Sequence, residues 1–325
     1  MHALASLHTK ISDYAAAHPF PATPRELYEP CDYMLLLGGK RLRPALVLLS
    51  CALFQDDVDR ALPAAWAVEL FHNFTLMHDD IMDAAPLRRG QPTVHTKWNT
   101  TTGILSGDVM LIHAYAHLAR LGDTGTALSA LIRTFNRVAI EVCEGQQLDV
   151  NFESRADVSL PEYLHMIELK TAVLLGGALE MGALCAGAAP ADAEHLYAFG
   201  RLAGIAFQIQ DDLLDTYGDP AKFGKQVGGD ILQNKKTFLV LKTLEVAPAA
   251  DRQELHLWMQ SAAESPGKVA AVRALFDRNG IPALAAAAKQ QFQQEAFAHL
   301  DAVSAPEARK STLRGVVEDL LVRES

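Results

Sequence analysis

Within Phe71–Arg89, FHNFTLMHDDIMDAAPLRR, residues Asp79, Asp80 and Asp83 spell D-D-x-x-D. On a helix, residues four apart share a face, so Asp79 and Asp83 stand side by side. Two such carboxylates either repel or share a cation, and hard divalent ions such as Mg²⁺ take oxygen ligands of this kind. Past Pro86 come Arg88 and Arg89, and acid followed so soon by paired base suits a metal-bound phosphate. A lone copy of the pattern would be indistinguishable from a solvated helix face. A second copy exists: Asp211, Asp212 and Asp215, in FQIQDDLLDTYGD. Both sit beside apolar runs (Phe71, Phe74, Leu76 and Met77; Ile205, Phe207 and Ile209), which argues against a merely solvated face.

The whole chain narrows the possibilities. It has 325 residues, half of them hydrophobic, and a formal net charge of −10. No run of five or six basic residues occurs, which argues against nucleic acid as a partner. An acidic protein acting on an anion needs local Lys, Arg or metal to invert the field at its site. Cys31, Cys51, Cys143 and Cys185 are widely spaced, form no C-x-x-C, and each sits among apolar residues. They read as buried free thiols in a reducing cytoplasm. The N-terminus lacks an uninterrupted apolar region and a cleavage site, so no secretory signal is evident. Val173–Ala191 is low in charge but contains Glu180 and many Gly and Ala, which fits a buried helix better than a membrane span.

The elements that must position these residues are helical nearly throughout, because Ala and Leu dominate the periodic segments and no series of alternating β-branched strands occurs. An N-terminal helix should end before His18–Pro24, and a second should run over 24–37 and stop at Gly38-Gly39. GGKRLRP then opens a helix, with Pro44 in its first turn. Pro63–Asp83 and Asp192–Tyr217 should carry the two acid clusters near their C-terminal ends. Between them, helices are expected over 106–121 and 126–149, and from Leu160 onward with Lys170-Thr171 inside it. A loop over 218–229 should lead into a helix containing Lys235 and Lys236. With no repeat and no persuasive linker, the reading is all-α, one domain over 1–325, folded as a single large helical bundle around a central cavity. No chemistry is identified in 238–325.

Other motifs fail. Gly218–Lys225 has five residues where a phosphate loop has four between its glycines, and Gln226 stands where Ser or Thr is needed. No G-x-G-x-x-G follows a strand, no H-E-x-x-H occurs, and the twelve His show no metal-ligand spacing. What remains are the blocks GGKRLRP (38–44), HDDIMD with LRRG (78–90), EGQQLD (144–149), LKTA (169–172), FQIQDDLLD (207–215) and GKQVGGDILQNKKT (224–237). In order and spacing they resemble the all-trans polyprenyl diphosphate synthases of the isoprenoid synthase fold, of which farnesyl and geranylgeranyl diphosphate synthases are short-chain members.

The resemblance implies a role for each matching position. Asp79, Asp83 and Asp211 would hold three Mg²⁺ ions on an allylic diphosphate, with Asp215, Asp80, Asp212 and Asp149 as weaker or outer ligands. Arg88, Lys170 and Lys225 would contact the same diphosphate, supported by Thr171, Gln208 and Lys235. Isopentenyl diphosphate would sit on Lys40, Arg43, His72 and Arg89. The catalytic set is then Asp79, Asp83, Arg88, Lys170, Asp211 and Lys225. A cytoplasmic homodimer with no membrane span is also implied.

Product length should be set by the helix leading into the first cluster. At about 1.5 Å per residue, Phe74 lies roughly 7 Å and Phe71 about 12 Å deeper than Asp79. In the resembled family a bulky residue at the Phe74 position closes the groove early, and the smaller Thr75 leaves slightly more room. These residues point to geranylgeranyl diphosphate, with farnesyl diphosphate the alternative. Two more distant readings are a class I terpene cyclase and a non-catalytic helical partner subunit. The repeated acid motif and the second diphosphate site disfavour the cyclase, and retention of every Asp and Lys position disfavours the subunit.

Overall fold

In the computed structural model, described over residues 2–124, 128–218, 228–262 and 265–322, helix follows helix. The order is α1 His2–Ala17, α2 Arg25–Leu36, α3 Leu42–Ala52, α4 Leu62–Met82, α5 Val94–Lys97, α6 Thr100–Ala119, α7 Leu128–Ser154, α8 Leu160–Ile167, α9 Val173–Cys185 and α10 Pro190–Tyr217. Then come α11 Gly229–Leu232, α12 Phe238–Val246, α13 Ala249–Gln260, α14 Lys268–Arg278, α15 Ile281–Ala302 and α16 Glu307–Val322. The one sheet among the described residues is a two-residue antiparallel ladder, β1 Leu87–Arg88 with β2 Gln91–Pro92. No described helix is long and apolar enough to cross a membrane.

Local signals explain most boundaries. Pro63 sits in the first turn of α4, where the amide hydrogen it lacks would have no partner. Ser159 caps α8 in a reciprocal box: its hydroxyl accepts from the Glu162 N–H, and Glu162 accepts from the Ser159 N–H. Helix α6 begins at Thr100, earlier than periodicity suggests, because the Asn99 side chain accepts from the Thr102 N–H. Lys235 and Lys236 stand between α11 and α12, not inside a helix as expected. Asn234, at φ +57°, ends the short α11 before a helical run can reach them.

The residues group into two compact units. The first gathers 1–135, 178–193 and 305–312. Its core includes Ala45–Leu49 of α3, the stretch 64–71 of α4, and Met110 and Ala114 of α6. Gly182 lies so close to α3 that a Cβ there would meet the Val47 carbonyl, and the Ser50 hydroxyl donates to Leu179 O at 2.5 Å. The second unit gathers 136–177, 194–304 and 313–325. Its core joins Tyr163 and Met166 of α8 to Ile205 and Ile209 of α10, Phe238–Leu241 of α12, and Leu275 and Phe276 of α14.

Cys31, Cys51 and Cys185 are buried free thiols, as read from the sequence, but Cys143 is exposed. It occupies the outer face of α7, whose apolar neighbours Ile140 and Val150 are exposed too, so an apolar setting in sequence did not mean burial there. The tight Gly182 approach gives a direct expectation. Gly182→Ala should destabilise the protein by about 1–3 kcal/mol through overpacking, read from denaturant unfolding.

Candidate active site

Helix geometry sorts the first acid cluster. Successive side chains on α4 point about 100° apart, so adjacent aspartates meet different surroundings. Asp80 is 3% exposed, whereas the Asp79 side chain retains 21% of its surface. Arg88 closes on Asp80 as a fork, its Nε 2.8 Å and Nη2 2.7 Å from the two carboxylate oxygens. The same guanidinium reaches to 3.8 Å from Asp79. Asp83 is the C-cap of α4, one turn beyond Asp79. The carboxylates at 79 and 83 therefore belong to the end of the helix, and Asp80 belongs to its packing.

The hairpin β1–β2 separates the two arginines. Arg89 and Gly90 form its two-residue turn with φ of +54° and +75°, the double positive φ that suits the twist of paired strands. Arg88 folds back onto Asp80, while Arg89 turns to Gly39 of GGKRLRP. A Cβ at Gly39 would lie 2.8 Å from both terminal nitrogens of Arg89, so a side chain there would push the arginine tip aside, and φ of +140° favours glycine as well.

Beside them lies a partly buried polar group. Arg43 Nη1 donates to His72 Nε2 at 3.1 Å, and Arg43 Nε is shut off from solvent with no hydrogen-bond partner among the described residues. Burial pulls the Arg43 guanidinium down to about 10. Burial first, then Arg43, Arg89 and Arg88, hold the His72 imidazole well below its ordinary value, so it is neutral and accepts at Nε2. Glu69, one turn before Asn73 and hydrogen-bonded to its amide, has its carboxyl raised by burial. Lys40 is exposed at the rim. Glu69 and Asn73 did not emerge from sequence reasoning. Glu69 is the lone acid within AAWAVELFHNF, and that isolation was the available signal. Phe71 is buried, and Phe74 packs between it and His78, with ring centroids at 5.7 and 4.8 Å. The Thr75 hydroxyl donates to His72 O.

The second cluster, on α10 in the other unit, sorts in the same way. Asp212 is 4% exposed and accepts from the Tyr163 hydroxyl at 2.5 Å and from the Phe238 N–H at 2.9 Å. Burial pushes its carboxyl up to about 7. Asp211 and Asp215 stay partly exposed. Asp215 accepts from the Asp230 N–H at 3.0 Å, and its carbonyl accepts from the Gly228 N–H at 2.6 Å. Lys235 is exposed, with Nζ 3.6 Å from Asp230. Lys236 donates to Phe152 O at 2.6 Å and so serves the C-terminal carbonyls of α7.

Lys170 and Thr171 lie in a π-helical turn, Glu168–Ala172, between α8 and α9. Such one-residue widenings recur at functional sites. A Cβ at Gly145 of EGQQLD would collide with the Lys170 backbone, so Gly145 lets α7 come against this turn. Lys170 Nζ donates to Asp149 of the same block at 2.5 Å. Gln208 lies one turn before Asp212 and is partly exposed. Lys225 falls outside the described residues.

Among the described residues, no three His, Cys, Asp or Glu side chains form a ready-made metal cage. The donor set at each cluster, outward carboxylates about a helical turn apart, is chemically suited to Mg²⁺ completed by substrate phosphates. The inward carboxylates predict a separation of effects. Asp80→Asn, which weakens the fork between the buried Asp80 carboxylate and Arg88, should cost about 1–3 kcal/mol of stability. Asp79→Asn should change stability by about 0.5 kcal/mol or less. Thermal unfolding of the two variants checks this.

Comparison with known proteins matches this arrangement to one family. Residues 24–276 match the model of the polyprenyl synthetase family, a span that includes both acid clusters. The short chain isoprenyl diphosphate synthase of Methanothermobacter thermautotrophicus is 38% identical over 302 residues, covering 93% of this chain and 92% of that protein. The geranylgeranyl diphosphate synthase of Methanosarcina mazei is 42% identical, covering 72% of each chain. Among solved structures, a geranylgeranyl pyrophosphate synthase superposes with a TM-score of 0.94 at 44% identity, covering 99% of both chains. The chain belongs to the polyprenyl synthetase family.

Proposed function

We propose that this protein is a short-chain all-trans prenyltransferase that condenses isopentenyl diphosphate with allylic diphosphates and releases geranylgeranyl diphosphate. The observation that carries the reading is the repeated sorting of a D-D-x-x-D motif into outward carboxylates and one buried carboxylate. Asp79, Asp83, Asp211 and Asp215 would hold three Mg²⁺ ions, which when bound neutralise the charge gathering on the pyrophosphate leaving group.

The chain's own cations complete that work. Arg88, Lys170, Lys225 and Lys235 stabilise the leaving group, with Thr171 and Gln208 as hydrogen-bonding support. Arg43, Arg89 and Lys40 bind the diphosphate of isopentenyl diphosphate, and neutral His72 orients Arg43. No protein nucleophile is needed, because the allylic C–O bond breaks heterolytically and the isopentenyl double bond attacks the resulting cation. The proton then lost goes to the departing pyrophosphate. Apolar side chains around the allylic tail keep water from the cation.

The twenty-carbon length is supported by Phe74, held between Phe71 and His78, and by the geranylgeranyl synthases among the similar proteins. We further propose a single all-helical domain, since one family model spans residues of both units. Its free cysteines suit the reducing cytoplasm. A homodimer would cover Ile104, Leu105 and Ile112, which α6 leaves exposed.

Incubation with Mg²⁺, isopentenyl diphosphate and each allylic primer, followed by mass spectrometry, should yield a linear C20 diphosphate. A C15 product would overturn the length, and cyclised hydrocarbon or no Mg²⁺-dependent turnover would overturn the reaction. Phe74→Ala should lengthen the product, and an unchanged product would remove Phe74 from length control.

A further inference from the structure

Helix α14 belongs to the C-terminal region in which the sequence shows no chemistry, yet four of its residues touch the second acid cluster or the segment that follows it. Lys268, at its first position, is 1% exposed. A lysine so buried must satisfy its ammonium with hydrogen bonds. It donates to Asn234 Oδ1 at 2.7 Å and to Ser261 O at 2.9 Å. Both acceptors are neutral oxygens, so the contact is not a simple ion pair.

Asn234 is held at φ +57°, a left-handed conformation that a non-glycine residue adopts at a cost. It immediately precedes Lys235. The Lys235 N–H returns to Asp230 O at 2.9 Å, closing the turn, and the Asp230 N–H reaches Asp215 of the cluster. A continuous path of hydrogen bonds and backbone therefore runs from Lys268 through Asn234, Lys235 and Asp230 to Asp215.

The neighbouring residues of α14 act on the same segment. Gly228, at φ +82°, packs so closely on Val269 that a Cβ would lie 2.6 Å from Val269 Cγ1. Farther along, the Arg273 guanidinium lies 4.9 Å from the Tyr217 ring centroid, and Asp277 accepts from the Tyr217 hydroxyl at 2.8 Å. Tyr217 stands two residues after Asp215. Helix α14 is thus the seat on which the end of α10 and residues 228–235 rest.

We infer that Lys268 is a positioning residue for allylic diphosphate binding: by holding Asn234 it sets Lys235 and the Asp230–Asp215 contact. The inference rests on the proposed reading of Lys235 and Asp215 as parts of the allylic diphosphate site. It assigns a role in that site to a residue that touches neither substrate nor metal.

Steady-state kinetics of the full chain tests it, with the KM for the allylic diphosphate and for isopentenyl diphosphate measured separately. Lys268→Met should raise the allylic KM about tenfold, as expected for one lost charge-assisted hydrogen bond, and leave the isopentenyl KM within about twofold. Asn234→Gly removes the acceptor but takes φ +57° without strain, so it carries the test even where Lys268→Met fails to fold. It should give the same split, and the double variant should be no worse than Lys268→Met alone, because that variant already lacks the Lys268–Asn234 contact. Equal rises in both KM values, additive effects, or no change would overturn the positioning role. Lys235→Ala separates the two readings. If it leaves the allylic KM unmoved, the assignment of Lys235 to the diphosphate is wrong and this role falls with it. If it raises that KM while Lys268→Met and Asn234→Gly do not, Lys235 stands and the positioning role alone is overturned.

Discussion

An α-helix turns by about 100° per residue, and in this protein that rotation decides what each aspartate of a D-D-x-x-D motif can do. The first and last carboxylates lie one turn apart and keep part of their surface exposed. The second is driven into the packing, where an unpartnered carboxylate would be expensive. Each inward carboxylate therefore recruits partners. Asp80 takes the forked guanidinium of Arg88, and Asp212 takes the Tyr163 hydroxyl and the Phe238 N–H. These contacts fix the hairpin after α4 and the start of α12. The metal-binding chemistry proposed for the outward carboxylates thus stands on helices tied down by the inward ones.

Charge follows the same economy. A chain of net charge −10 must build cationic surroundings locally if it is to hold diphosphates. In the first unit it gathers Arg43 and Arg89 around a histidine that burial keeps neutral, so the histidine adds a hydrogen-bond acceptor without another charge. In the second unit, Lys170 is presented from a π-helical turn and paired with Asp149, so its ammonium is already held in place.

The helices and both acid clusters were legible because they rest on strong local signals: apolar periodicity, Pro63 at a helix start, Gly38-Gly39 at a helix end, and the repeated D-D-x-x-D. Roles that depend on three-dimensional approach were not legible. Periodicity makes Asp79, Asp80 and Asp83 equally polar letters and cannot say that Asp80 faces inward without knowing what packs there. Nothing in the sequence around Lys236 says that the end of α7 lies beneath it. Gly145 carries no sign in EGQQLD that the Lys170 backbone occupies the space of its missing Cβ. The hairpin escaped because strands of two residues are too short to show alternation. Lys268 lies in SPGKVAAV, where nothing marks it as more than a surface lysine, and only the fold buries it.

The central proposal is that the outward carboxylates of the two motifs hold Mg²⁺ on a diphosphate. Calorimetric titration of pyrophosphate into the protein, with and without Mg²⁺, tests it most directly when Asp79→Asn and Asp211→Asn are compared with the natural chain. Binding should require Mg²⁺, and each single substitution should weaken it by at least about tenfold, a size typical of disturbed metal sites. Mg²⁺-independent binding, or full affinity retained by either variant, would contradict the account.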